Sequence, residues 1–206
     1  EGITKIRAQD MLAANDLGYK IKLIASAKLD ENGRADVRVH PMLISSKSTL
    51  AHIDYVTNAV SLSGFPIGDI TLSGPGAGEF PTASSVVGDI LAISAELGKT
   101  DYLLPMMRCC HNETAKCIDI NDTMNKYYLS INAKNNKGVI GTIGKICAEN
   151  GISLQSIVQR GVDEDNTANI TVITELALEK NMRKAAEAFE KDEFINKVNS
   201  LIRVQV

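Results

Sequence analysis

The sequence contains no tryptophan, and its aromatic share is only 4%. Any core must therefore be built mainly from aliphatic side chains. A basic excess is also missing: 22 Lys and Arg stand against 25 Asp and Glu, for a formal net charge of -3. Nucleic-acid binding usually needs a cationic footprint, so this balance argues against such a partner. No run of about 18 apolar residues occurs, which argues against a membrane partner or span. The four cysteines, Cys109, Cys110, Cys117 and Cys147, are too few for a disulfide-stapled secreted domain and read as free thiols of a cytoplasmic protein. There is no charged-then-apolar leader, so no signal peptide is expected. The start at Glu1-Gly2-Ile3, without a Met, suggests a piece of something longer. What is present is ordinary for a folded protein. At 44% hydrophobic and 23% charged, 206 residues suffice for one or two domains.

Along the chain, Asp10 to Ala14 places apolar groups on one side of a short helix, with Leu17-Gly18 as its stop. Tyr19 to Ala27 reads as a strand with one face well covered, and Asp30-Glu31-Asn32-Gly33 as a turn of solvated charges. Ala35, Val37 and Val39 alternate with polar residues in a second strand, where Pro41 limits the usable ladder positions. Strands are predicted over 56–62 and 67–72, with a turn at Gly64-Phe65-Pro66 between them. A helix is predicted from about Thr82 to Leu97, with Val86, Val87, Ile90, Leu91 and Ile93 as a wide apolar stripe. Residues 99–126 lose periodicity and read as a linker, with room for one strand. After them comes a compact βαββαβ unit, the ferredoxin-like split order. Its strands are predicted over 127–133, 152–162, 168–174 and 201–206, and its helices over 139–150 and 178–190.

Three motifs bear on chemistry. The loop Gly74-Pro75-Gly76-Ala77-Gly78 opens into a helix, where backbone N–H groups can approach a phosphate or a nicotinamide-ribose edge. A tight strand-to-helix turn explains the glycines equally well. With Glu79 where a dinucleotide fingerprint needs its third glycine, the G-x-G-x-x-G pattern fits poorly. Cys109-Cys110-His111 with Cys117 invites a zinc reading, but adjacent cysteines aim poorly at one tetrahedral centre, and no metal site is expected. His40 and His52 lack a nucleophile at a recognisable spacing, and no G-x-S-x-G, H-E-x-x-H or P-loop occurs. The third motif is the turn from Asn135 to Ile140, before the first helix of the split βαβ unit. There the N–H groups of Gly138, Val139 and Ile140 are left for a small carboxylate, and Asn135 for the ligand's amine or carboxylate. A plain helix entry is the alternative.

Two blocks together resemble a known family. Glu1-Gly2-Ile3, Leu17 to Leu23, His40-Pro41, Asn58-Ala59-Val60, the glycine loop and Pro81 to Asp89 are similar to the C-terminal half of the homoserine dehydrogenase catalytic region. Tyr127 to Leu129, the Asn135 to Ile140 turn and Leu201 to Val204 resemble an ACT domain. The resemblance implies an α+β protein: a mixed open sheet with covering helices over 1–104, a linker over 105–126, and a ferredoxin-like ACT regulatory domain over 127–206. It implies a parent that reduces aspartate semialdehyde to homoserine with NAD(P), in threonine and methionine biosynthesis. Gly78 is implied as a cofactor contact. Asn135, Gly138, Val139 and Ile140 are implied as the effector site, with threonine as the effector. The family's catalytic lysine and acidic substrate ligands precede Glu1, so these residues alone are expected to be inactive and to hold no cofactor tightly. A homo-oligomer, dimer or higher, is implied through the sheet and the ACT domain. The ACT turn usually reads Asp-x-Pro-Gly-Val. Asn135 and Lys137 depart from it, which removes an acidic partner for a ligand ammonium. A stand-alone amino-acid-binding regulator without catalysis is the other reading.

Overall fold

The computed structural model describes residues 2–97, 114–161 and 165–206. The Cys109-Cys110-His111 cluster lies outside these residues, as does much of the turn at 163–166. The described elements are α1 (Ala8–Asp16), β1 (Tyr19–Leu29), β2 (Ala35–Ser45), β3 (Thr57–Gly64), β4 (Gly68–Pro75), α2 (Glu79–Glu96), β5 (Met124–Lys134), α3 (Val139–Glu149), β6 (Leu154–Arg160), β7 (Thr167–Thr174), β8 (Ala177–Leu178), α4 (Glu179–Lys191) and β9 (Ile195–Val204). No described helix is long and apolar enough to cross a membrane.

The chain forms two compact units, Glu1–Lys47 with Ala115–Val206, and Ser48–Thr114. The first is thus discontinuous in sequence. Its sheet runs β1-β2-β9-β5-β7-β6, with β8 beside β5. The last four positions of that path are the ferredoxin-like order of the split βαβ unit, with α3 and α4 as its two helices. The join to the first segment is a short parallel pairing of Met42 and Leu43 with Arg203 and Val204, extended where Gln205 N–H donates to the Leu43 carbonyl at 2.8 Å.

Strand periodicity then sorts side chains into two cores. Tyr127, Leu129, Ile131 and Ala133 of β5 point into the larger one, with Ile143, Met182 and Phe189 from the two helices. Tyr128 points to the other face and packs with Ala14, Leu43, Ile202 and Val204. With no Trp in the sequence, Tyr127 and Tyr128 are the largest fully buried side chains among the described residues.

Several sequence expectations are revised. In α1, Met11 and Leu12 stand exposed, while the buried residues are Ala14 and the charged Asp10. Asp10 caps the helix by accepting from the Arg7 backbone N–H at 3.0 Å. It also accepts from Ser200 Oγ at 2.7 Å, fastening the helix to β9. The outer part of β1 is not well covered, since Leu23 and Leu29 are exposed. β2 continues through Pro41, which faces Leu23 in register. β9 joins β2 only from Met42 onward, so the missing proline N–H interrupts no bond on that side. Asp30 is not an idle turn charge: it accepts from the N–H groups of Asn32 and Arg34 at 2.9 and 2.8 Å, which holds its carboxyl below the usual range.

The last strand begins at Ile195 rather than 201. Its early part alternates polar residues and carries two register shifts against β5, which hides the period. From the linker, Lys116 and Ile118 bond the backbone of Ala35, and β5 starts at Met124.

In the second unit, β3 and β4 form an antiparallel hairpin from the Thr57–Pro75 pair to the Gly64–Gly68 pair. α2 starts at Glu79, three residues earlier than predicted, because Gly78 caps it. No residue of α2 is buried, and its stripe of Val86, Val87, Ile90, Leu91 and Ile93 is exposed.

Candidate functional sites

The turn between β5 and α3 brings Asn135, Gly138, Val139 and Ile140 to the lining of one cavity of about 300 Å³, together with Lys137 and Gln159. Gly138 makes this possible. It caps α3 at φ +97°, a left-handed conformation that side chains other than glycine resist. The Gly138 carbonyl accepts from Thr142 N–H at 2.9 Å, the first helical bond. The Val139 N–H has a long contact to the Asn136 carbonyl at 3.5 Å, and the Gly138 and Ile140 N–H groups donate to no carbonyl among the described residues. Helix starts present such donors to anions, with a favourable dipole behind them.

Asn135 is held at both ends. Its Nδ2 donates to Asn166 Oδ1 at 3.3 Å, and its Oδ1 accepts from Gln159 Nε2 at 3.4 Å. Its backbone N–H donates to the Asn166 carbonyl at 3.0 Å. The amide therefore clasps the ends of β5, β6 and β7, which positions the turn. Val139 is buried and Ile140 half exposed, so one lines the cavity from the core and the other from its edge.

In the other unit, Gly78 sits at φ +127° immediately before α2, and its carbonyl accepts from Thr82 N–H at 3.1 Å. A Cβ there would press on Pro81. Gly76 N–H donates to the Val56 carbonyl at 3.0 Å, and a Cβ at Gly76 would collide with the Asn58 side chain. Gly78 thus answers a backbone need, whereas Gly76 leaves room for the Asn58 side chain, and no side chain caps the long helix that follows.

A third cluster escaped the sequence reading. Glu179, only 2% exposed, accepts from Tyr127 Oη at 2.7 Å, from Arg203 Nε and Nη2 at 3.0 and 2.6 Å, and from Arg183 Nη2 at 3.0 Å. Burial and this carboxylate push the Tyr127 hydroxyl well above its ordinary value. The available signal was a lone arginine inside the apolar run Leu201-Ile202-Arg203-Val204. A charge there demands a buried partner. This ion pair floors a second cavity, of about 510 Å³, between the N-terminal segment, α4 and β9.

Of the cysteines, Cys117 is exposed and Cys147 buried, and burial pushes the Cys147 thiol up to about 11. His40 is buried, with Nδ1 2.8 Å from the Pro41 carbonyl. Among the described residues, no three His, Cys, Asp or Glu side chains gather as metal ligands would.

Residues 1–91 match the homoserine dehydrogenase family and residues 127–194 the ACT domain. The homoserine dehydrogenases of Neisseria gonorrhoeae and Synechocystis are 32% and 36% identical to the chain, over 100% and 99% of it. The chain spans about half the length of these curated relatives, 48% of each. Among solved structures, a homoserine dehydrogenase from Thiobacillus denitrificans superimposes with a TM-score of 0.83 at 30% identity, covering 100% of this chain and 47% of that one.

Proposed function

We propose that this chain, which belongs to the homoserine dehydrogenase family over residues 1–91 and carries an ACT domain over residues 127–194, works as the C-terminal half of an NAD(P)-dependent oxidoreductase. The reaction would be reduction of aspartate semialdehyde to homoserine. The observation that carries this reading is the occurrence of both blocks, in order, along relatives of that name. The nicotinamide cofactor, when bound, supplies the hydride to the aldehyde carbon. Gly78 suits one edge of it, because a residue without a Cβ at the entry to α2 lets a flat ring or ribose come close. Glu79 at the first helical position disfavours an anion there, so the cofactor's nicotinamide side fits better than its pyrophosphate.

The turn lined by Asn135, Gly138, Val139 and Ile140 would take the carboxylate of a small amino-acid effector such as threonine. Its free N–H donors and the glycine that aims them support this. With Asn135 neutral, the effector's ammonium would find an amide oxygen rather than a carboxylate, and binding would be weaker for it. A second copy of the chain is the fitting partner for the exposed stripe of α2 and for the outer edge of β6. One offers apolar side chains and the other unpaired backbone groups.

The test is a chimera that joins the N-terminal half of the Neisseria relative to this chain. Oxidation of NADPH with aspartate semialdehyde should appear in the chimera and be absent from the 206 residues alone. A folded chimera without turnover, or turnover by the chain alone, would sink the proposal. Threonine should slow the chimera, and Gly138→Ala should blunt that response without lowering the uninhibited rate.

A further inference from the structure

The tripeptide Glu-Asn-Gly occurs twice, at Glu31-Asn32-Gly33 and at Glu149-Asn150-Gly151. With identical local sequence, any difference in how the two asparagines behave must come from the fold. An asparagine before glycine carries a latent reaction. Its side-chain Cγ lies within ring-closing reach of the next backbone nitrogen, and glycine has no Cβ to shield that nitrogen.

The fold treats the two pairs differently. Asn150 is the half-buried C-cap of α3, and its Nδ2 donates to the Ile146 carbonyl at 2.8 Å. The N–H groups of Gly151 and Ile152 donate to the Ala148 and Cys147 carbonyls at 3.0 and 2.9 Å. A ring can close there only after this helix end comes undone. Asn32 stands at the exposed tip of the β1–β2 hairpin. Its backbone N–H donates to Asp30 Oδ1 at 2.9 Å, but its side-chain amide joins no hydrogen bond among the described residues. Gly33, at φ +71°, has open space around it, since a Cβ there would meet nothing within 4 Å. Gly33 N–H donates to the Asp30 carbonyl at 3.0 Å, and a turn bond at an exposed loop tip opens at little cost.

We propose that Asn32 is a self-modification site, which the folded chain converts to aspartate and isoaspartate while it protects Asn150. The backbone nitrogen of Gly33 gives up its proton to water and attacks Asn32 Cγ. The new C–N bond closes a succinimide ring, the Cγ–Nδ2 bond breaks, and ammonia leaves. Water then adds to either ring carbonyl. Opening at Cγ yields aspartate, and opening at the main-chain carbon yields isoaspartate, with the backbone rerouted through the side chain. The net change is one water consumed and one ammonia released, with nothing oxidised or reduced. The chemistry needs only this chain and water, whatever reaction its parent performs.

The product alters the turn that Asp30 organises. The chain becomes one charge more negative than its formal -3. The new carboxylate lies two residues from Asp30, whose carboxyl Arg34 and Asn32 hold below its ordinary range, and should push that carboxyl back up. Where isoaspartate forms, an extra methylene enters the span closed by the Gly33-to-Asp30 bond, and the Leu29–Ala35 pair at the end of the ladder should loosen.

The experiment ages the 206-residue chain in mildly alkaline buffer, folded and in urea, then digests it at acid pH and follows both peptides by chromatography and mass spectrometry. In the folded chain Asn32 should convert, with ammonia released in step, and Asn150 should convert at least about tenfold more slowly, because it reacts only from an opened helix end. In urea the two rates should converge, since the tripeptides are the same. Raising the pH should speed both, because attack requires loss of the glycine N–H proton. Asn32→Gln should remove the acidic species that ion exchange resolves from aged folded chain, and Asn150→Gln should leave that species in place. Equal rates at the two sites in the folded chain would overturn the proposal, and so would an Asn32 that keeps its amide in the folded chain, whether or not it converts in urea.

Discussion

Glu179 shows how much one buried carboxylate can hold. It neutralises Arg203, which is only 5% exposed, and satisfies the Tyr127 hydroxyl and the Arg183 guanidinium. Removing one member of such a pair strands the other charge in a medium that solvates it poorly, at about 3–5 kcal/mol. Glu179→Gln should lower the urea-unfolding free energy by that order. Replacing Glu179 and Arg203 together with Leu and Met should recover most of the loss, because no charge is then stranded.

Cys147 gives a pH signature. Its thiol rises from an ordinary 9.0 to about 11 through burial alone, so the folded state favours the neutral form. The stability it contributes is complete below about pH 9 and is lost as pH climbs toward 11, when the unfolded thiol ionises first. The loss should amount to about 2 kcal/mol over that window and should be reduced in Cys147→Val. Tyr128, raised to about 12 mainly by burial, extends the alkaline loss beyond it. Unfolding curves at pH 8.5 to 10.5, run on both chains, check this.

Of these buried polar groups only Arg203 left a trace in the sequence, as a charge inside an apolar run, and that trace does not name its partner. Asp10 and Glu179 stand in helical patterns that read the same whether a charge is paired inside or solvated outside. Only tertiary contacts between residues as distant as Asp10 and Ser200 decide between the two.

At the level of elements, the order was readable because strand and helix periods are local. The glycine entries to α2 and α3 were readable as well, since a helix start after glycine needs no distant partner. Gly138→Ala should cost about 1–2 kcal/mol of stability, the penalty of a Cβ in left-handed backbone, seen as a lower thermal midpoint. Element edges were less readable. The first half of β9 escaped notice because its bulges break the alternation that strand reading relies on. β8 is only two residues long, too short to show any period.

At the level of the molecule, sequence blocks and compact units do not coincide. The blocks run in order along the chain, but β1 and β2 belong to the same sheet as the ACT strands, and Ser48–Thr114 is an insertion within that unit. A sheet ladder spans the two through Leu43 and Val204, and Ala14, Tyr19 and Ile21 cover the ACT face that carries Tyr128. Residues 115–206 produced alone should therefore bare Tyr128, Ile202 and Val204. They should unfold at lower urea than the whole chain, and should bind a hydrophobic dye that the whole chain binds less. Equal stability with and without residues 1–47 would show that the shared face contributes little.

The late arrival of β9 has a consequence for how such a protein is made. On the ribosome β2 and β5 emerge long before the strand that lies between them in the finished sheet, and both must wait with that edge open until β9 leaves the exit tunnel. The closing strand is also the one that carries Arg203, so the buried ion pair with Glu179 and the completed sheet come into being together.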